Sequence, residues 1–406
     1  MGCAGCPVYA AEVCSHAKIA ARVQDLSCTK VTALAELRTC RLPERLNILP
    51  RPHDVKKSTL GQAFVTLEAY LEDWALQISQ RQAIARTVMA LSEASIATSE
   101  LVARGALAGE LSSVTARAGE FDEQKAIDVL ANDMILNFLK QAPVAAFASE
   151  ELLEPVTLEP SAGLLVACDP LDGSSNVEAN VSFGMIFSIL PRHPTSTGEA
   201  AFLRPGSHQL AAGLMVYGPT TSLALTLGSG THIFTLDRQQ RKFVLTRRNV
   251  AIPAATKEYA INASNARYWE EPIRIYVHDC ENGASGPRGH DYNMRWTGSP
   301  VADIYRILTR GGIYLYPGDS RKGFHQGRIR LIYEASPIAW LIEQAGGRAT
   351  TGRERLLDTV PVTLHQKTPL ICGSSGEVDH VARLCSGTDF KGERSALFGR
   401  RGLFRV

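Results

Sequence analysis

The run Asp169-Pro170-Leu171-Asp172-Gly173-Ser174-Ser175-Asn176 constrains this chain more than any other eight residues. The five residues before it, Leu164-Leu165-Val166-Ala167-Cys168, are apolar and have the length and type of a buried strand. Asp169 then stands at the end of that strand. Pro170 has no amide donor, so strand pairing is expected to stop there and the chain to turn. Such a turn returns Asp172 to the side of Asp169. Two carboxylates so placed repel each other unless a cation lies between them. Oxygen ligands favour a hard divalent ion, Mg²⁺ or Mn²⁺. Gly173, Ser174 and Ser175 follow with N–H and hydroxyl donors that suit a phosphate. Read alone, Asp-x-x-Asp-Gly is an ordinary Asx-capped turn; the complete octapeptide is far more specific.

The remaining chain supplies further acids and bases. Phe64, Leu67, Leu71 and Trp74, then Ile78, Ile84, Val88, Leu91 and Ile96, recur at helical spacing and read as core stripes. A helix is expected from about Glu123 to Lys140, apolar nearly all round and therefore buried. Asp128 lies inside it between Ile127 and Val129, where a carboxylate needs a partner or a metal. Val144–Ser149 reads as a strand ending in Glu150-Glu151, and strand ends are where sites collect in α/β sheets. Val181–Leu190, Gln209–Tyr217, Thr221–Leu227, Thr231–Leu236 and Lys242–Thr246 read as a run of strands. The pattern changes after Pro253, where Tyr259–Asn262 is followed by a helix near Tyr268–Tyr276 and a glycine-rich loop over Glu281–Asp291. Ser299-Pro300 opens a helix that Gly311-Gly312 stops, and Ile313–Tyr316 is a strand. Gly327–Glu334 reads as another, which would place Arg328, Arg330 and Glu334 on one face over about 20 Å. Ser336-Pro337 opens the next helix, ended by Gly346-Gly347.

A chain of 406 residues with 45% hydrophobic and 21% charged residues can build a sizeable core in two subdomains. Its parts are expected to be an extension over 1–57 with no assignable role, an α/β subdomain over 58–250 that carries the acids, a second α/β subdomain over 251–388, and a basic tail over 389–406. A net charge of +2 gives no reason to expect nucleic acid or a membrane surface as partner, and no apolar run is long enough to span a bilayer. Nine cysteines, five of them before residue 41, make an odd set in a large chain. That argues against a disulfide scaffold and for a reducing cytoplasm.

These blocks, in this order, resemble class I fructose-1,6-bisphosphatase of the bacterial type. The matching stretches are Asp122–Asp133, Ser149–Leu152, Asp169–Asn176, Asn293–Pro317 and Arg328–Gly347, within roughly residues 60–385. The resemblance implies a layered α-β-α-β-α sugar-phosphatase fold with two subdomains and an assembly of four identical chains. It implies metal-coordinating roles for Glu150, Asp169, Asp172 and Glu334, with the Leu171 carbonyl as a further ligand. Asp128 and Glu151 would activate the attacking water, supported by Asp122. Gly173, Ser174 and Ser175 with Arg330 would cradle the 1-phosphate, and Arg328 stands where the family usually has a lysine near the sugar. Asn262, Tyr316 and Arg295 would take the 6-phosphate, Arg295 reaching in from a neighbouring subunit. The implied reaction is hydrolysis of fructose 1,6-bisphosphate to fructose 6-phosphate and phosphate. Sedoheptulose 1,7-bisphosphate is the alternative substrate, and a sugar-phosphate-binding regulator without catalysis the alternative class.

Overall fold

A computed structural model describes residues 65–387, apart from 110–113 and 118–122. The expected extension over 1–57, Asp122 and the tail over 389–406 lie outside the described residues. Two helices come first, α1 (Leu67–Ala75) and α2 (Ser79–Ala103), then the short strands β1 (Val114–Arg117) and β2 (Glu123–Lys125) and helix α3 (Ala126–Leu139). Strands β3 (Val144–Ser149), β4 (Val156–Thr157), β5 (Leu164–Asp172), β6 (Phe183–Pro191), β7 (Ala211–Tyr217), β8 (Thr221–Thr226), β9 (Thr231–Asp237) and β10 (Lys242–Arg247) follow. They form one sheet in the order β10-β9-β8-β7-β6-β5-β3-β4, with only β3 and β5 parallel.

The second half contains β11 (Glu258–Ala260), α4 (Glu271–Glu281), β12 (Asn293–Met294), α5 (Pro300–Arg310) and β13 (Ile313–Tyr316). After these come β14 (Ile329–Arg330), α6 (Ser336–Gln344), β15 (Arg348–Thr350), β16 (Lys367–Thr368), β17 (Leu370–Gly373) and α7 (Ser375–Ser386). A second sheet runs β12-β11-β13-β17-β15, and β14 pairs with β16.

Three apolar cores stack these elements into five layers. Leu71 of α1, Val88 and Leu91 of α2 and Ile127 and Ile135 of α3 pack on one face of the large sheet, against Val166, Met185, Phe187 and Met215. The opposite face, through Ile186, Leu214 and Val216, meets α5 and α6 at Val301, Ile304, Ile338 and Leu341. Those helices also cover Tyr314, Leu370 and Cys372 of the small sheet. Its far face packs on α4 and α7 through Ile313, Leu315, Tyr276, Val277 and Val381. Helix, sheet, helix, sheet, helix is the layering that the resemblance implies. Both faces of each sheet are covered, so strands such as Leu164–Cys168 read as continuous apolar runs, and the alternation shows only in which core each side chain joins.

Several elements differ from the sequence reading. The expected helix from Glu123 begins at Ala126, because Glu123–Lys125 pairs with β1. That helix is also not buried all round: Ile127, Ala131, Ile135 and Leu139 form its inner stripe, while Leu130 is 40% exposed. The helix expected near Tyr268–Tyr276 starts at Glu271, after a 3₁₀ turn over Ala263–Tyr268 capped by Asn262. The strand expected over Gly327–Glu334 is confined to Ile329–Arg330; Leu331–Ala335 winds into a π-helical turn. Leu331 enters the core between the sheets while Ile332 and Tyr333 enter the core beside Leu165 and Phe202, and a flat strand with period two does not divide them that way.

One glycine sets how closely the large sheet packs near the end of β5. A methyl group on Gly184 would lie 1.8 Å from the Met215 carbonyl oxygen and 2.7 Å from Val301 Cγ1. Gly184 also faces Asp172 across the β5–β6 ladder. Gly184→Ala is therefore expected to destabilise the fold by about 1–3 kcal/mol or more, the cost of overpacking a core. Denaturant unfolding of the purified variant, with unchanged stability as the contrary result, tests it.

Candidate metal centre and active site

Pro170 does not end β5. On the β3 side pairing stops at Ser149 and Cys168, where the Glu150 N–H donates to the Cys168 carbonyl at 3.1 Å. On the β6 side the ladder continues past the proline: Asp169 faces Ile186 and Asp172 faces Gly184. Three steps on β5 therefore match two on β6, a bulge that absorbs the residue without an N–H. This bulge brings the two aspartates together, as a turn was expected to.

Asp169 Oδ1 accepts the Leu171 N–H at 2.9 Å. Asp172 Oδ2 accepts the Ser299 hydroxyl and the Val301 N–H, each at 2.9 Å. The N-terminus of α5 thus points at Asp172, where its dipole favours a negative charge. Ser299 was legible as a helix-start residue, but its role as an Asp172 donor was not. Glu334 arrives on the π-helical turn, a distortion that often accompanies functional sites, and its Oε2 accepts the Arg330 N–H at 2.6 Å. Oxygen atoms of Asp169, Asp172 and Glu334 lie within 4.8 Å of one another, all three side chains being buried. Glu150 joins their edge and is paired with Arg330 Nε at 3.1 Å. Arg330 Nη1 also donates to the His365 carbonyl at 3.2 Å.

The electrostatics of this cluster are those of charges held together against repulsion. Burial pushes the Asp169 carboxyl well above the usual carboxylate range, and Glu150, Asp172 and Glu334 push it further. Burial likewise raises Glu334, with added repulsion from Glu150 and Asp172. Asp172 is pushed up to about 7 by burial, against the Val301 N–H and Ser299 hydroxyl, which favour its ionised form. Buried like charges of this kind are relieved by a cation, and an all-carboxylate donor set fits a hard divalent ion.

The Gly173–Asn176 turn is equally constrained. Gly173 has φ +78°, and a Cβ there would sit 2.7 Å from Ser299 Cβ. Ser174–Asn176 forms one 3₁₀ turn, with Asn176 Nδ2 donating to the carbonyls of Ser182 at 3.2 Å and Thr297 at 3.3 Å. Ser175 is exposed. Asp128 is buried in the first turn of α3, and its Oδ2 accepts the Lys125 N–H at 2.8 Å. Burial raises its pKa, the Lys125 N–H and Ser174 hydroxyl lower it, and the nearby Glu150 charge raises it. Lys125 Nζ donates to the Ser174 carbonyl at 3.3 Å. Sequence reading passed over Lys125, although a base at the start of the helix carrying Asp128 was its signal. Glu151 follows at the end of β3, half-buried, with its N–H on Ser149 Oγ at 3.2 Å. It lies outside the three-acid cluster.

A second group lies apart in the small sheet. Asn262 and Tyr316 line one shallow depression together with Asn265, Trp269 and Asp319. Asn262 Oδ1 accepts the Ser264 N–H at 3.2 Å and the Ser264 hydroxyl at 2.5 Å. Burial raises the Tyr316 hydroxyl pKa, and the positive charges of Arg328 and Arg321 lower it. Arg328 lies 4.7 Å over the Phe324 ring. It therefore does not share a strand face with Arg330 and Glu334. Arg295 is not among the residues lining the depression; its Nε is 4.0 Å from Glu258 Oε1.

Removing one charge from the acid cluster should show what its burial costs. Asp172→Asn keeps an oxygen for Ser299 and Val301 and removes one of the repelling carboxylates. The chelator-treated variant is expected to melt about 2 °C above the chelator-treated parent, while most of the stabilisation given by added Mg²⁺ or Mn²⁺ disappears. Thermal unfolding with and without divalent ions measures both effects.

Comparison with known proteins gives the family. Residues 65–248 match the family model described as the fructose-1-6-bisphosphatase N-terminal domain, and residues 252–386 match its C-terminal domain. A class 1 fructose-1,6-bisphosphatase of Azorhizobium caulinodans is 54% identical over 78% of this chain and 98% of its own. One of Nitrobacter hamburgensis is 52% identical over 84% of this chain and 99% of its own. The crystal structure of Leishmania major fructose-1,6-bisphosphatase in holo form superposes with a TM-score of 0.75 at 31% identity, covering 80% of this chain and all of that one. On two matching domain models and relatives aligned over nearly their whole length, this chain belongs to the class 1 fructose-1,6-bisphosphatase family.

Proposed function

We propose that this chain hydrolyses the 1-phosphate of D-fructose 1,6-bisphosphate to give fructose 6-phosphate and phosphate. The observation that carries the reading is the convergence of Asp169, Asp172 and Glu334 beside Arg330 and the Gly173–Ser175 turn. Asp169, Asp172, Glu334 and Glu150, with the Leu171 carbonyl, would hold divalent ions, Mg²⁺ in the first place and Mn²⁺ as a substitute. When bound, such ions offset the phosphate charge and lower the pKa of a nucleophilic water.

The chain's own residues do the rest. Arg330 presents a planar, permanently charged group to the 1-phosphate, and the Ser174 and Ser175 donors orient it. Arg330 is held for this by Glu150 and the His365 carbonyl. Asp128 and Glu151 take the proton of the attacking water as its oxygen bonds to phosphorus. The bond from phosphorus to the C1 oxygen breaks, and the sugar leaves as an alcohol once that oxygen gains a proton. Asp128 suits the role because burial raises its basicity while the Lys125 N–H fixes its orientation. Asp122 is proposed as a supporting acid.

Asn262, Tyr316 and Arg328 would bind the 6-phosphate, which gives the second part of the chain, beyond about residue 250, its role. Arg295 completes that subsite from a neighbouring subunit of a homotetramer; half of its side chain is exposed and available to a partner. The described cysteines Cys168, Cys280, Cys372 and Cys385 are free thiols, which fits the cytoplasm. Among the described residues no helix is long and apolar enough to cross a membrane.

Phosphate release with Mg²⁺, measured on fructose 1,6-bisphosphate and on sedoheptulose 1,7-bisphosphate, tests the activity and ranks the two substrates. Glu151→Gln is expected to lower turnover at least about a hundredfold at saturating Mg²⁺, the size of a general-base contribution. Near-parental turnover would remove Glu151 from the proton transfer. For the shared site, co-assembled Arg295→Ala and Asp172→Asn chains are expected to regain activity that neither has alone. Mixed oligomers without recovery would place Arg295 in its own chain's site.

A further inference from the structure

The loop between β13 and β14 carries charge that no role assigned so far uses. Arg321 lies 4.7 Å over the Tyr268 ring and 4.8 Å over the Phe324 ring, so its guanidinium is sandwiched between them. Arg328 lies on Phe324, and Arg267 lies 4.6 Å over Tyr268. Cations and rings thus alternate along one stack: Arg267, Tyr268, Arg321, Phe324, Arg328. Asp319 fixes the middle cation edge-on. Arg321 Nε donates to Asp319 Oδ1 at 3.0 Å and Oδ2 at 3.1 Å, and Nη2 donates to Oδ2. Asp319 itself lines the Asn262–Tyr316 depression. The loop is tied to the turn carrying Asn262 by the Ser320 N–H on the Tyr268 carbonyl at 3.0 Å and by a bridge between Trp269 and Asp319.

We propose that Arg321 is a second cation of the distal-phosphate subsite, oriented with Arg328 by this stack. The proposal rests on the reading that Asn262, Tyr316 and Arg328 hold the 6-phosphate. Asp319 engages one edge of the Arg321 guanidinium, and Nη1 makes no hydrogen bond among the described residues. Arg328 makes no hydrogen bond or ion pair among the described residues, and its charge acts on Tyr316 and Asp319. Both cations lower the pKa of the Tyr316 hydroxyl, which places their field on the same depression. Two oriented guanidinium groups can grip a dianion, and the aromatic rings restrict their side chains before the ligand arrives. Arg330, two residues from Arg328, is committed to Glu150 at the acid cluster. Each end of a bisphosphate is thereby given its own arginine, and the stack selects substrates that carry a second phosphate.

Two inhibitors separate the two ends. Fructose 6-phosphate reports the distal subsite and inorganic phosphate reports the acid-cluster subsite. Arg321→Gln is expected to raise the inhibition constant of fructose 6-phosphate about tenfold, the loss of one charged hydrogen bond, and to leave that of inorganic phosphate within about twofold. The KM for fructose 1,6-bisphosphate should rise in parallel, with a smaller change in kcat. Phe324→Leu keeps both cations and removes the ring they share; it is expected to give a smaller rise, about threefold, in the same constant alone. This variant decides the matter if Arg321→Gln does not fold. Equal weakening of both inhibitors, or no weakening of fructose 6-phosphate, overturns the proposal. If Asn262→Ala also leaves fructose 6-phosphate inhibition at the parental value, the distal-subsite reading itself fails along with the role of Arg321.

Discussion

Mutual repulsion among Asp169, Asp172 and Glu334 is the constraint around which the rest of this structure is arranged. Three buried carboxylates within 4.8 Å cannot all ionise at neutral pH without opposing charge. The protein answers in part with its own donors, one set per acid: the Leu171 N–H, the Ser299 hydroxyl with the Val301 N–H, and the Arg330 N–H. None of these donors except the α5 terminus brings more than a local dipole. The remaining imbalance is what suits the cluster to a cation, and irregular backbone collects here. A bulge supplies the two aspartates, a π-helical turn supplies the glutamate, and a helix terminus faces them from a third direction.

The five layers hold these irregular pieces still. Both faces of the large sheet are covered, so β5 cannot slide in register without carrying its apolar side chains into the wrong core. The close approach at Gly184 brings α5 and its Val301 against the sheet beside Asp172. The acids therefore sit at the ends of the parallel strands β3 and β5, where α/β sheets place their sites. Packing far from any charge thus sets the precision of the charge cluster.

A bisphosphatase must hold two anions apart and treat them differently. Arg328 and Arg330 are separated by one residue, yet one lies on an aromatic ring and the other is paired with Glu150. Arg330 lies in the short strand β14, tied to β16, and Arg328 lies just before it. On the Arg330 side lie the buried carboxylates and the Gly173–Asn176 turn; on the Arg328 side, cations and aromatic rings alternate beside Asp319, which lines the Asn262–Tyr316 depression. That asymmetry supports hydrolysis of one phosphate and retention of the other.

Much of this was legible in the sequence, where the signal is local. Asp169 to Asn176 announces its own turn, because a proline, a glycine and two acids dictate backbone and charge within eight residues. Ser299-Pro300 likewise marks a helix start, and the apolar runs mark buried strands. The errors fell where local preference and long-range packing disagree. Ile329 to Tyr333 has the β-branched and aromatic composition of a strand, but Leu331 and Tyr333 belong to different cores, so the chain winds and turns Glu334 back toward Arg330. Pro170 signalled an end to pairing, but a ladder partner on one side alone could accommodate it as a bulge. The sequence by itself determined which residues could hold metal and phosphate. Only the tertiary structure decided that Asp169 and Glu334, remote in the chain, meet in one buried cluster while Arg328 and Arg330, near in the chain, part. The reason is physical: residue spacing specifies neighbours within a turn or a strand, whereas the burial of both sheet faces specifies which strand ends come together.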